Sequence, residues 1–497
     1  MDNNDCVKLR YVSRFVAALT ACLLGLTPAY AGAASEGDLA RYVAAPDVSY
    51  TWREVKSRRV GSARVTELIL TSQTWRDTPW KHQLVLVRPP NVAASSRQVF
   101  LFIGGGRWKP EYENGYQGDL PRSAQVFVEL AETLRAPIAV LGQVPFQPMF
   151  ERREDALIAY TFDHYLTSGE ADWPLLLPMV KTAVRAMDAV QAFAAERWQM
   201  QVASFTVAGA SKRGWTSWLT AAVDSRVSSV APIAIDMLNL PAQIELQHAT
   251  FGALSAQVQD YVDINLAGRI ATERGRSLLA MVDPYQYLAD LTPPKLIMLG
   301  TNDRYWPLDA LKLYWDGLPE PKRVLYVPNQ GHSVGDLDRL IGGLSALHRY
   351  SARYEHLPSV NWTYAAQTDY LGVDVQTDRK PGRVLAWTAT SATRDFREAL
   401  WTSHSCKRKD GKIACSVARP SKGFVAMYAE LWFKDPGYPE FPLATVVCIA
   451  GEPAGGATDC PAHPRSVLTA ALELPERDPA SDIHVDAENV ASGAPDR

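Results

Sequence analysis

The chain has 497 residues, 47% hydrophobic and 21% charged, a balance that excludes a disordered or fibrous protein and predicts two domains, one of them large. A net charge of −3 leaves no basic footprint, so no nucleic-acid partner is expected. Fourteen tryptophans and twenty tyrosines point to an aromatic-rich core or cleft.

Lys8, Arg10 and Arg14 precede an apolar run from Phe15 to Leu26, then Pro28 and Ala29-Tyr30-Ala31. A basic segment, a 12-residue apolar core and a small-x-small site predict a secretory signal over 1–31, cleaved after Ala31. The run is shorter than the ~20 residues of a spanning helix, and no other stretch reaches that length, so no membrane span is expected. Leu19-Thr-Ala-Cys22 has the form of a lipoprotein cleavage box, yet apolar residues continue past Cys22 where a lipoprotein turns polar. A periplasmic or secreted chain is therefore expected over one anchored at Cys22. Four cysteines follow the signal: Cys406, Cys415, Cys448 and Cys460. In an oxidising compartment an even set favours disulfides, and without C-x-x-C spacing no metal site is expected. Of the three possible connectivities, Cys406–Cys415 and Cys448–Cys460 are expected, because each pair brackets a short polar, glycine-containing segment. No cofactor is expected.

After a loose lead-in with a helix start near 36–42, strand-like segments follow at 50–57, 64–71 and 82–88. Val99-Phe-Leu-Phe-Ile103 is a continuous apolar run, the pattern of a strand buried on both faces, and it runs into Gly104-Gly-Gly-Arg-Trp108. A helix is read at 123–135, a buried strand at 138–141, a Pro-rich loop at 144–148 and a long helix at 178–198. Phe205 to Ala208 form the next strand, Gly209 permits a turn, and Trp215, Trp218, Leu219 and Ala222 set a helical stripe at i, i+3, i+4 and i+7. Further buried strands end at Asp236, at Gly300-Thr-Asn-Asp303 and at Pro328-Asn-Gln-Gly-His332, and a helix over 336–350 follows. Between the first two of these, residues 237–290 lack strand signals and read as a helical cap.

Strands and helices thus alternate from about 99 to 350, which implies right-handed crossovers and a mostly parallel sheet. After Ser351 strands come without helices, at 383–390, 397–403 and 423–434; Val425, Met427, Ala429, Leu431 and Phe433 give the last one apolar face. The expected organisation is a signal at 1–31, an α/β domain at 32–350, an all-β, sandwich-like domain at 351–475 and a disordered tail at 476–497.

The stretch Ala208-Gly-Ala-Ser211-Lys-Arg-Gly-Trp215 places a serine at a strand-to-helix corner, where its hydroxyl is thrust out of the sheet. It departs from G-x-S-x-G, because Arg213 stands two residues after the serine and the second glycine is Gly214. Ser211, Asp303 and His332 each end a predicted strand, in the chain order of an α/β-hydrolase triad. The imidazole would take the hydroxyl proton and the carboxylate would fix the tautomer. Asp236 is the rival acid, given instead the role of capping the segment that opens the cap. Oxyanion donors are expected from the backbone N–H of Lys212 and from the Gly104–Gly106 loop, at Gly105 and Gly106. Lys212 and Arg213 place two cations beside the nucleophile, either to recognise a substrate anion or to pair with the scaffold. Arg213 and Trp108 are the candidate substrate contacts.

Three of these stretches, 208–215, Gly300-Thr-Asn-Asp-Arg-Tyr-Trp306 and Val327-Pro-Asn-Gln-Gly-His332, together with Pro46-Asp-Val-Ser-Tyr-Thr-Trp52, resemble the PhoPQ-activated pathogenicity-related proteins over roughly 38–475. The resemblance implies an exported α/β-hydrolase fold with a mostly parallel sheet, a helical cap insertion and a β-rich C-terminal extension. The elbow is also similar to that of glucuronoyl esterases, Gly-x-Ser-Arg-x-Gly, in which a cation follows the serine as Lys212 does here. Two readings follow: a serine hydrolase acting on an ester or amide of a small-molecule or envelope-derived substrate, and a non-catalytic envelope protein that binds through the same fold.

Overall fold

The computed structural model describes residues 37–92, 96–116, 122–409, 412–451, 460, 461 and 463. The signal at 1–31 with Cys22, and the tail at 476–497, lie outside the described residues.

Helix α1 (Asp38–Ala44) leads into an antiparallel meander of β1 (Thr51–Val60), β2 (Ala63–Trp75) and β3 (Thr78–Arg88). Next come β4 (Gln98–Ile103), α2 (Arg122–Leu134), β5 (Ile138–Leu141), α3 (Glu154–Ser168) and α4 (Leu176–Phe193). The elbow pair is β6 (Ser204–Ala210) and α5 (Lys212–Val223), followed by β7 (Val227–Ile233). The cap holds α6 (Leu240–Phe251), the short α7 (Gln259–Asp263) and α8 (Leu266–Arg269), and α9 (Glu273–Val282). Strands β8 (Lys295–Gly300) and β9 (Lys322–Val327) and helix α10 (Leu337–Ala352) complete the alternation.

Six strands run parallel in the order β5-β4-β6-β7-β8-β9, and β3 joins antiparallel to β5. Every residue of β8 and β9 is buried, Lys295, Lys322 and Arg323 included, and the apolar runs 296–299 and 324–327 are those of strands covered on both faces. The meander alternates instead: β3 buries every second residue from Trp80 to Leu86, leaving its other face less covered. Helix α3 has no counterpart in the sequence reading. Its buried residues Leu157, Ile158, Phe162, Tyr165 and Leu166 share one face, but Ala156 and Tyr160 on the opposite face blur the contrast that marks an amphipathic helix.

The C-terminal region consists of β10 (Asn361–Ala366), β11 (Tyr370–Gln376), β12 (Arg383–Ser391), β13 (Thr402–Ser405), β14 (Lys407–Lys409), β15 (Lys412–Ala418), β16 (Phe424–Phe433), β17 (Phe441–Ala444) and β18 (Cys448–Ala450). The element pattern changes at 351 as expected, but the sheet does not end there. Ala444 of β17 pairs with Val324 of β9, so β17-β16-β12-β13 prolongs the central sheet, giving fourteen strands with β18. A separate sheet, β10-β11-β15-β14, packs over this extension, and the Tyr364 hydroxyl donates across the layers to the Val446 carbonyl at 2.8 Å. The sandwich therefore shares one layer with the α/β core. Sharing removes the exposed edge that β9 would otherwise carry. Disulfides join Cys406 to Cys415 across the β14–β15 hairpin, and Cys448 to Cys460.

The strand expected at 397–403 is a correction: only Thr402–Ser405 is extended and paired, and 396–401 is irregular. Its backbone groups are taken by side chains from the α/β core, as described below. No helix among the described residues is long and apolar enough to cross a membrane.

Candidate active site

Strand β6 is buried up to Gly209 and ends at Ala210, and the chain then turns sharply at Ser211, with φ 58° and ψ −130°. That positive φ is costly for a residue with a side chain, and it is held by neighbours. The Ser211 N–H donates to the Ile233 carbonyl at 2.8 Å, and its carbonyl accepts the first helical bond from Trp215 at 3.0 Å. The displaced glycine now has a reason. A Cβ on Gly214 would lie 2.7 Å from Ile235 Cγ2 and 2.9 Å from the Gly209 carbonyl, and one on Gly209 would lie 2.5 Å from the Arg213 carbonyl. The close approach of helix to strand therefore falls on position 214, and position 213 carries a long side chain that leaves the elbow sideways.

His332 follows β9, and its Nε2 lies 2.8 Å from Ser211 Oγ while its Nδ1 lies 2.8 Å from Asp303 Oδ2. An ionised carboxylate only accepts, so Nδ1 carries the proton and Nε2 is left to accept from the serine hydroxyl. Asp303 Oδ1 accepts the Tyr305 N–H at 2.9 Å, and the Tyr305 ring stacks on the imidazole with centroids 4.1 Å apart. Burial, with the carboxylates of Asp155 and Asp303 adding, pushes the Tyr305 phenol up to about 12. Gly300 lets the two loops meet, because a Cβ there would lie 2.4 Å from the Gln330 carbonyl. Each loop is then tied to the 396–401 segment: Asn302 Nδ2 donates to the Ala399 carbonyl at 2.7 Å, and Asn329 brackets the Trp401 amide.

Asp236 is not brought to His332. It is 4% exposed and accepts from the Tyr314 hydroxyl at 2.7 Å; burial pushes its carboxyl up to about 8. Nor does it cap the cap segment, as the sequence suggested. That task falls to Asp283, whose carboxylate accepts the Asn239 and Leu240 N–H groups at 3.2 and 2.9 Å.

The carbonyls of Gly104, Gly105 and Gly106 accept from the Val144 N–H, the Gln143 N–H and Gln147 Nε2, at 3.1, 2.9 and 2.9 Å. These bonds hold the loop with its carbonyls turned toward 143–147. Among the described residues the N–H groups of Gly105 and Gly106 have no acceptor; nor does that of Lys212, the first residue of α5, where a helix leaves its amides unpaired.

The two cations beside the serine take the scaffold role. Arg213 Nη1 and Nη2 grip the Glu154 carboxylate at 2.7 Å each, and Nε donates to the Val144 carbonyl at 2.5 Å. Lys212 Nζ lies 3.1 Å from Glu154 and 3.0 Å from Asp155. Burial opposes the Glu154 charge, but the hydrogen bond and charge of Arg213 outweigh it and hold that carboxyl down at about 2. With both cations buried and paired to carboxylates, the geometry favours the scaffold over a substrate contact for Arg213. Trp108 stands apart from the serine: its ring is edge-on to Tyr112, centroids 5.8 Å apart, and it is not among the described residues that line the cavity over Ser211.

That cavity, of about 70 Å³, reaches Ser211 and His332 and is walled by Trp215, Tyr305 and Trp306 from the core and by Leu240, Ile244 and Leu266 from the cap. Glu154, Asp155, Tyr261 and Tyr305 are site residues that the sequence reading missed. Tyr305 stood inside a quoted motif. The acidic pair Glu154-Asp155 ahead of Leu157 and Ile158 is a helix-start signal that could have been read. Nothing in the sequence ties Tyr261 to Asp155, whose carboxylate accepts its hydroxyl at 3.1 Å.

A mostly parallel sheet with a strand-turn-helix serine corner and a helical cap defines an α/β-hydrolase fold. The chain belongs to the PhoPQ-activated pathogenicity-related protein family, whose sequence model matches residues 39–397. It is 31% identical over 430 residues to autocrine proliferation repressor protein A of Dictyostelium discoideum, covering 78% of this chain and 84% of that one. Among solved structures it is similar to acetyl xylan esterase 1 of a Thermoanaerobacterium species, at 14% identity and TM-score 0.43, covering 63% of this chain and 92% of that one. It is also similar to a glucuronoyl esterase of Solibacter usitatus, at 15% identity and TM-score 0.37, covering 64% and 91%.

Proposed function

We propose that this protein is an exported serine hydrolase that cleaves an ester through Ser211, His332 and Asp303. The observation that carries the reading is the pair of 2.8 Å contacts that link the three side chains in one relay. In the proposed reaction Ser211 Oγ attacks the substrate carbonyl as its proton passes to His332 Nε2. Asp303 stabilises the imidazolium, and the alcohol leaves with that proton. The oxyanion is met by the amide of Lys212 and by those of Gly105 and Gly106, which among the described residues have no other acceptor. Water, deprotonated by the same imidazole, then releases the acid. An ester is favoured over a peptide because the cavity is small and covered by the cap. Export is supported by the signal-like N-terminus and by two disulfides, which persist in oxidising compartments. We extend the proposal to an envelope or virulence context on the family's description alone.

The test is covalent labelling of the signal-free protein by a fluorophosphonate, together with turnover of an activated ester. Wild type should label and Ser211→Ala should not. Asp303→Asn should stay folded and lose about 10⁴-fold in turnover. Folded wild-type protein that does not label would remove the hydrolase reading. A second reading, a non-catalytic binding role on the same fold, would then stand; it is favoured by the name of the Dictyostelium relative, which describes a repressor of proliferation.

A further inference from the structure

Helix α6 turns Leu240, Gln243, Ile244 and Gln247 toward the cavity over Ser211, at i, i+3, i+4 and i+7. A stripe at that spacing facing an apolar space is ordinarily apolar throughout; polar residues there mark a task other than packing. The two amides differ. Gln247 Oε1 accepts the Ser255 N–H at 2.8 Å and so holds the cap together. Gln243 is 0% exposed and its Nε2 donates to the Leu238 carbonyl at 3.1 Å, which fixes the amide's orientation. Among the described residues its Oε1 is buried without a hydrogen-bond partner. An orphaned acceptor in such a place is costly until a donor arrives.

The charges around the cavity cancel. Lys212 is spent on Glu154 and Asp155, Arg213 on Glu154, and Asp155 also accepts from Tyr261. A charged substrate group would therefore enter without a counterion, which low-dielectric surroundings penalise heavily. The volume of about 70 Å³ admits on the order of five water-sized groups, hence a short chain. A neutral donor fits best as a hydroxyl, because an amide N–H brings a carbonyl that would itself need a partner. The space between serine and cap suits the acyl half of an ester, which stays on the serine after the alcohol has left.

We propose that the cavity selects a short, uncharged acyl chain bearing a hydroxyl group that donates to Gln243 Oε1. This rests on the serine-hydrolase reading, so labelling by a fluorophosphonate is measured on the same protein. The probes are 4-nitrophenyl hexanoate, its 3-hydroxy and 6-hydroxy analogues, and the monoadipate, whose chain ends in a carboxylate. In the wild type one hydroxylated ester should exceed hexanoate about five- to a hundredfold in kcat/KM, the effect of satisfying one buried acceptor, and the monoadipate should be slower than hexanoate. In Gln243→Met, of similar length and without the acceptor, the hydroxyl-to-hexanoate ratio should fall to about one. Hydroxylated esters no better than hexanoate in the wild type would overturn the proposal, as would a preference that survives Gln243→Met or a monoadipate that leads the panel. Labelling without turnover of any probe would also overturn it while leaving the hydrolase reading in place. Absence of labelling would instead remove that reading and this inference with it.

Discussion

Asn329 holds the backbone of Trp401 on both sides of its residue: Nδ2 donates to the Trp401 carbonyl at 2.9 Å, and Oδ1 accepts the Trp401 N–H at 2.8 Å. Three positions later in the same loop is His332, so the C-terminal β region grips the loop that carries the imidazole. Asn329→Ala should lower kcat on an activated ester by about tenfold to a hundredfold, since a shift near 1 Å costs that much, while KM changes little. Asn329→Asp tolerates the left-handed φ of 58° and keeps the acceptor, so it should fall between the two. Steady-state kinetics and the rate of fluorophosphonate labelling check this; an unchanged kcat in the alanine variant would show that the clamp does not position the histidine.

The guanidinium of Arg213 fills the space a side chain on Gly105 would need, with a Cβ there only 2.4 Å from Nη2. Together with the grip on Glu154 and on the Val144 carbonyl, this makes Arg213 the strut between elbow and glycine loop. Arg213→Ala should destabilise by about 2–3 kcal/mol, because Glu154 and the loop lose a buried partner. Activity should fall equally on neutral and acidic esters, and Arg213→Lys should restore little, since an ammonium cannot make the two-pronged contact. A rise in KM confined to acidic esters would return Arg213 to the substrate.

Gly214→Ala should cost about 1–3 kcal/mol, as expected for an added methyl in a packed interior, and should slow labelling of Ser211 by tilting α5. The new methyl would press against Ile235, the Gly209 carbonyl and the Ile233 backbone nitrogen, at 2.7, 2.9 and 3.2 Å. Denaturant unfolding and labelling rates measured together test it; an alanine variant that matches wild type in both would mean the helix shifts without consequence.

Asp236 gives a pH signature. Burial raises its carboxyl from 3.8 to about 8, against the lowering effect of the Tyr314 hydroxyl, so the folded protein binds this proton more tightly than the unfolded chain. Its contribution to stability is thus complete below about pH 4 and is lost as pH rises through about 8. Melting temperatures of wild type should fall more between pH 6 and 9 than those of Asp236→Asn, which stays neutral throughout. Turnover by Asp236→Asn should remain within about tenfold of wild type, far from the loss at Asp303→Asn. Parallel melting curves for the two proteins would show that the carboxyl is already ionised at neutral pH.

Much of the fold was legible because its elements obey local rules. Val99-Phe-Leu-Phe-Ile103 and the runs that became β8 and β9 could only be strands covered on both faces, and they are. Helix α3 was missed because Ala156 and Tyr160 opposite its buried face weaken the contrast between the two faces, and 397–403 was read as a strand although its backbone groups bond to Asn302 and Asn329. A side-chain clamp from another loop leaves no mark on the local pattern.

By itself the sequence determined the alternating architecture and put Ser211, Asp303 and His332 each just past a strand, since periodicity and strand ends are properties of neighbouring residues. Only the tertiary structure decided what surrounds them. Whether Lys212 and Arg213 face a substrate or the scaffold depends on Glu154, 59 residues before Arg213, and whether the last strands form a domain of their own depends on one pairing between Val324 and Ala444. Charge neutralisation and sheet closure join groups far apart in the chain, and such distances are set by packing, not by any local pattern of residues.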